Sequence, residues 1–314
     1  MAFERAFRTL LAGALALLLA SCGGGSTVVS DFRPTRVVVF GDAMADMKLG
    51  AGGTALYTIN GDGTVNNWVR QLASHYSLTP LDANVKAKAH ARITSAIGAT
   101  GVAATSVTSQ IAAWAGGFTS NDLVIVSAGT SDLIFEGNVA VVANTSAAQS
   151  TAVSNVRQAA RELATQVRQL VSSGAQHVVV LTPYNMGKTP WASSVSSTGF
   201  LETLSDEFYI ELVYNVSDLS EQVLVVDSRV QLNGMVNSAS YSGLSVACTP
   251  TAAGVGIGIG TGKVDASLCN AATAGHLVAG YDANKYLFAD PVYPTPLAHR
   301  ELGEYAYSKL RVRW

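Results

Sequence analysis

Short runs of β-branched residues, each stopped by a turn, constrain this chain more than any other feature. Val37-Val38-Val39-Phe40 ends at Gly41-Asp42, and Leu123 to Ser127 (LVIVS) ends at Ala128-Gly129. His177 to Thr182 (HVVVLT) and Val223 to Asp227 (VLVVD) follow the same pattern. Unbroken apolar runs of this length predict strands buried on both faces, as in a parallel sheet. Amphipathic stretches separate them. Asn155 to Ser172 presents Val156, Ala160, Leu163, Val167, Leu170 and Val171 as one stripe, with Gly174 as its cap. Ser106–Trp114, Thr203–Leu219 and Pro296–Leu310 read as further helices, and Trp68, Val69, Leu72 and Ala73 share one face of a shorter one. With Leu81 to Ala89 taken as the second strand, the alternation predicts a three-layer α/β/α domain around a five-stranded parallel sheet.

The N-terminal segment does not fit that alternation. Arg5 and Arg8 precede a short apolar run, Leu10 to Ala20, and the run is shorter than the ~20 residues a membrane span needs. Leu19-Ala20-Ser21-Cys22 resembles a bacterial lipobox, which implies a signal peptide over residues 1–21 and lipidation of Cys22. Residues 22–34 then form a flexible tether to a domain over 35–314. The expected place is the bacterial cell envelope, as an outer-membrane lipoprotein facing the periplasm or the surface. With Cys22 lipidated, Cys248 and Cys269 remain as an even pair. They form a disulfide in an oxidising compartment and stay free thiols in a reducing one. Both fall in an insertion around 238–280, rich in glycine, serine and alanine. Its run Gly254 to Gly262, before Lys263, lacks the spacing and the strand–helix context of a phosphate loop and reads as a flexible loop. His276 beside the two cysteines matches no zinc pattern, so no metal or cofactor is expected. A net charge of -2 gives no electrostatic ground for a nucleic-acid partner.

Four stretches carry the candidate chemistry. The first strand leads into Phe40-Gly41-Asp42-Ala43-Met44-Ala45-Asp46; then come Val85-Lys86-Ala87-Lys88-Ala89-His90-Ala91-Arg92, Gly129-Thr130-Ser131-Asp132 and Asp290-Pro291-Val292-Tyr293-Pro294-Thr295. Together they resemble the blocks of the SGNH/GDSL hydrolases, whose forms are F-G-D-S-L-S-D, N-Y-A-x-G-G-A-R, G-x-N-D and D-x-x-H-P-T. The resemblance runs from Val37 to the C-terminus and implies the flavodoxin-like α/β/α fold of esterases and lipases. It also implies a serine nucleophile, a glycine amide and an asparagine as oxyanion donors, and a histidine base oriented by an aspartate.

This chain departs from the pattern at each name-giving position. Ala43 replaces the nucleophile, Ala89 and His90 the two glycines, Ser131 the asparagine and Tyr293 the base, while Asp290 is kept. A methyl group cannot attack an ester, and a phenol with a reference pKa of about 10 is a poor base at neutral pH. His90 reads as a ring filling the emptied pocket, since a base needs a nucleophile to serve, and His299 reads as structural. The expectation is a monomeric, lipid-anchored pseudo-hydrolase. It would bind an ester, acylated sugar or lipid-like ligand in a cleft formed by Asp42, Ala43, Asp46, His90, Ser131, Asp290 and Tyr293. The competing expectation is a working esterase with a rearranged site, using Ser131 or Thr130 as nucleophile with His90 or His299. A third is an envelope protein with a filled cleft.

Overall fold

The computed structural model describes residues 32–48, 56–250, 253–256 and 260–314. The expected signal peptide, Cys22 and residues 23–31 of the expected tether lie outside them. Phe32 is already docked, its N–H donating to the Trp314 carbonyl and its ring stacked on His177 at 3.7 Å.

Four strands form the sheet: β1 (Arg36–Gly41), β2 (Asp122–Ser127), β3 (Val178–Leu181) and β4 (Val223–Val226), parallel and in the order β1-β2-β3-β4. Val37 pairs with Leu123, Val124 with Val178 and Val178 with Val223, so the β-branched runs lie in register. Every residue of β2 and β3 is buried. That burial accounts for apolar runs without alternation: helices cover both faces.

The expected five strands become four. Leu81 to Ala89 is not a strand, because Asp82 to Asn84 close a single 3-10 turn inside it. Only Val85 bridges to Val39, on the edge of β1 away from β2. The N–H groups of Lys86 and Lys88 then donate to the carbonyls of Val39 (2.7 Å) and Gly41 (3.0 Å). The segment occupies the position of a fifth strand as a ragged, lysine-bearing edge, a form that discourages pairing with another chain.

The helices are α1 (Trp68–Ser74), α2 (Val107–Ala112), α3 (Thr130–Ala143), α4 (Ser146–Ser172), α5 (Pro190–Ser194), α6 (Thr198–Val216), α7 (Ser228–Val236) and α8 (Pro296–Arg313). They pack in two groups, α3 with α4 and α6, and α8 with α1 and α7. The stripe read on residues 155–172 belongs to a longer helix, which Thr145 starts by accepting from the Ala148 N–H. In α8, Thr295 accepts from Ala298 and Pro296 takes the first turn, where its missing N–H leaves no bond unmade. Helices α3, α5 and α7 have no counterpart in the sequence reading. The insertion also holds an antiparallel hairpin, β5 (Ala253–Gly256) with β6 (Gly260–Val264), where the glycine run suggested a flexible loop; residues 257–259 lie outside the described set. Cys248 and Cys269 are bonded, which closes the lobe.

Candidate active site

The turn after β1 is built for close approach. Gly41 has φ +148°, and a Cβ there would lie 2.0 Å from the Ser127 carbonyl oxygen, so only glycine fits. Gln110 holds this glycine from the other side, its amide bonded to both the Gly41 N–H and the Gly41 carbonyl at 2.9 Å. Asp42 follows, fully buried, and its carboxylate accepts from the N–H groups of Met44 (3.1 Å) and Ser131 (3.3 Å). The first and third blocks thereby share one carboxylate at the C-terminal rim of the sheet, where open α/β sheets place their ligand sites. Burial raises the Asp42 pKa to about 7, against the lowering effect of these amides.

Ser131 stands in the first turn of α3, and its hydroxyl finds no hydrogen-bond partner among the described residues. Asp132, next to it, accepts from the Ile93 N–H and from Arg92, whose guanidinium also reaches Glu136 at 2.7 Å. The third block is therefore tied to the second by an ion-pair network beneath the surface.

In the second block, the Ala89 N–H donates to Asp46 at 2.7 Å, and Asp46 is also paired with Lys48 at 2.8 Å. His90 has φ +62°, a left-handed backbone that the family's glycine adopts freely and that a histidine adopts only under strain. Its ring is held by Tyr57, whose hydroxyl lies 2.5 Å from Nε2 with the two rings edge to face at 4.9 Å. Burial lowers the His90 pKa, which favours the neutral imidazole.

The last block is a turn folded over its own aspartate. Asp290 accepts three backbone N–H groups, from Val292 (2.8 Å), Tyr293 (2.6 Å) and Ala266 (2.9 Å). Burial nonetheless lifts its pKa to about 6. Tyr184 adds a bond from its hydroxyl to the Val292 carbonyl at 2.7 Å. Tyr293 is fully buried with its phenol unpartnered among the described residues, and its ring lies 4.9 Å from that of Tyr57. Burial, with Asp42 among the nearby charges, drives its pKa well above 10. His299, in the first turn of α8, is buried and its pKa falls to about 3 from desolvation alone. It is a neutral core histidine.

The four blocks thus meet, and they meet under cover. The cleft above them, about 610 Å³, is lined by Tyr57, Ala89, His90, Thr105, Ser267 and Leu268, with Lys48 and Lys88 at its edge. Of the seven expected lining residues, His90 alone faces it. Asp42, Asp46, Ser131, Asp290 and Tyr293 are at most 3% exposed and Ala43 6%. Tyr57 links the two levels, lining the cleft and packing on Tyr293. Sequence reasoning missed Tyr57, Ser267 and Asn60. The Asn60 side chain donates to the carbonyls of Leu56, Thr58, Ala266 and Cys269, fastening the loop of Tyr57 to the insertion. Among the described residues no three metal-ligating side chains gather, and no helix is long and apolar enough to cross a membrane.

The family model described as GDSL-like Lipase/Acylhydrolase matches residues 37–306. The chain belongs to this family. Solved structures similar to this GDSL-family chain include the lipase Lip_vut3 from goat rumen metagenome, at 13% identity and TM-score 0.48 over 88% of this chain and 99% of that one. Another is an extracellular lipase from Streptomyces rimosus, at 17% identity and TM-score 0.44 over 88% and 99%. No curated protein matches the chain. Measured against the family's blocks, this member keeps Asp42 and Asp290 and carries Ala43, Ser131 and Tyr293 where the blocks have serine, asparagine and histidine.

Proposed function

We propose that this GDSL-family protein is a pseudo-hydrolase, which holds an ester, acylated sugar or lipid-like ligand in its cleft and leaves it intact. One observation carries the proposal. Where the family places nucleophile, amide donor and base, this chain has Ala43, Ser131 and Tyr293, and the Ser131 hydroxyl has no base within hydrogen-bond reach. A serine without a base is a weak nucleophile. His90 does not serve it, because Nε2 is engaged with Tyr57; His299 carries its ring buried and neutral on α8. Asp290 supports the same reading, since its oxygens take up three main-chain amides and keep the turn folded without any histidine to orient.

Equilibrium dialysis with an acetylated p-nitrophenyl xyloside tests both halves of the proposal. The expected result is retention of the xyloside by the protein and its recovery with the acetyl esters intact, read by mass spectrometry. Recovery of the deacetylated sugar would refute the pseudo-hydrolase, and no retention would refute the cleft as its binding site.

The protein is further proposed to be fixed to the bacterial cell envelope through lipid on Cys22. The basis is the lipobox-like Leu19-Ala20-Ser21-Cys22 after a short apolar run. Cys22→Ala is expected to move the chain from the membrane fraction to the soluble fraction, or to halt its processing. Unchanged fractionation would remove the anchor.

A further inference from the structure

We propose that the ligand of this cleft is recognised by a carboxylate, drawn to Lys88 with Lys48 beside it. The inference rests on the cleft being a ligand site and adds the chemical class. Its charged groups are both cations, the ammonium groups of Lys48 and Lys88, with the Thr105 hydroxyl beside them, while the Tyr57 and Ser267 hydroxyls are engaged with His90 and Asp265. The neighbouring acids are buried and taken up by the protein itself. Asp46 accepts from the Ala89 and Lys48 N–H groups as well as from the Lys48 ammonium. Asp265 accepts the Ser267 N–H at 2.9 Å and the Ser267 hydroxyl at 2.6 Å.

Lys48 is therefore half neutralised, whereas Lys88 has no carboxylate partner among the described residues. Its main chain is fixed by the bond from its N–H to the Gly41 carbonyl, so the sheet edge delivers this cation to the rim. A neutral ester offers such a surface only weak acceptors. A carboxylate offers two charged ones, and charge-assisted bonds are roughly twice as strong as neutral ones.

Titration calorimetry at low salt, with matched acid and ester pairs, decides the matter. Trigalacturonate against its methyl ester represents a sugar acid, and hexanoate against methyl hexanoate a fatty acid. At least one acid is expected to bind about ten-fold tighter than its ester, with a preference that shrinks as salt is added. Which pair shows it identifies the source of the carboxylate. Lys88→Ala, at an exposed side chain, should abolish the preference, and Lys88→Arg should keep it. Equal binding of acid and ester in both pairs, or a preference untouched by Lys88→Ala, overturns the proposal and leaves the cleft a neutral-ligand site. Failure of all four probes to bind overturns this proposal together with the cleft-binding reading on which it rests.

Discussion

Ala43→Ser with Tyr293→His is expected to hydrolyse aryl esters at least about 100-fold faster than either single variant, because triad members act as a unit. Ala43→Ser alone restores a hydroxyl at the turn after β1 but leaves no base to take its proton. Tyr293→His alone restores an imidazole with nothing to activate. Together they place a serine and a histidine in blocks that already converge, since Asp42 bonds to Ser131 and its charge reaches the Tyr293 phenol. Asp290 lies three residues before the new histidine, the spacing by which the family orients its base. Recovery would stay well short of a working enzyme, because removing even one oxyanion donor costs about 10² to 10³ in kcat. Adding Ser131→Asn and His90→Gly should raise the rate further. The glycine suits the φ of +62° at that position and opens the floor under Tyr57. A double variant no faster than the singles would show that the blocks do not meet as described.

The largest effect on stability is expected from the disulfide. Cys248→Ala with Cys269→Ala should lower the unfolding free energy by about 3 kcal/mol, from the entropy of the loop it closes. The two cysteines are 21 residues apart in sequence. The bond does more than close a loop. On one side, Cys248 and Ala247 donate to the carbonyls of Ala289 and Phe288, which lead into Asp290. On the other, the Cys269 carbonyl accepts from the Asn60 N–H and side chain, which carry the Tyr57 loop. The cross-link thus joins the Asp290–Tyr293 turn to the wall that supplies Ser267 and Leu268. With m of roughly 1–3 kcal/mol/M, the urea midpoint should fall by at least about 1 M. An unchanged midpoint would mean that these hydrogen bonds alone hold the lobe in place.

Much of the scaffold was legible because its signals are local. Val37 to Phe40, Leu123 to Ser127 and the later runs read as buried strands since both faces are covered. Pro296 to Leu310 read as a helix following the Pro294-Thr295 turn. What escaped the sequence depends on contacts between distant segments. Leu81 to Ala89 looked like a strand, but Asp82 to Asn84 curl within it and leave one bridge, at Val85. Thr130 to Asp132 looked like a loop after a strand, although Gly129 at φ +106° turns the chain straight into α3. The cleft lined by Tyr57, His90 and Ser267 lies above the buried residues that the blocks name. Nothing local to Tyr57 announces that it will bond His90 and cover Tyr293, and nothing near Ser267 places it opposite them.

The unmodified chain is expected to turn over no ester, and the initial rate on p-nitrophenyl acetate and p-nitrophenyl hexanoate tests this most directly. Each should be measured against the same protein after heat denaturation, with a phospholipid as a further substrate. No rate above the denatured control is expected on any of the three. A rate well above that control, abolished by Ser131→Ala or by Ser267→Ala, would contradict this expectation and show a rearranged nucleophile at work.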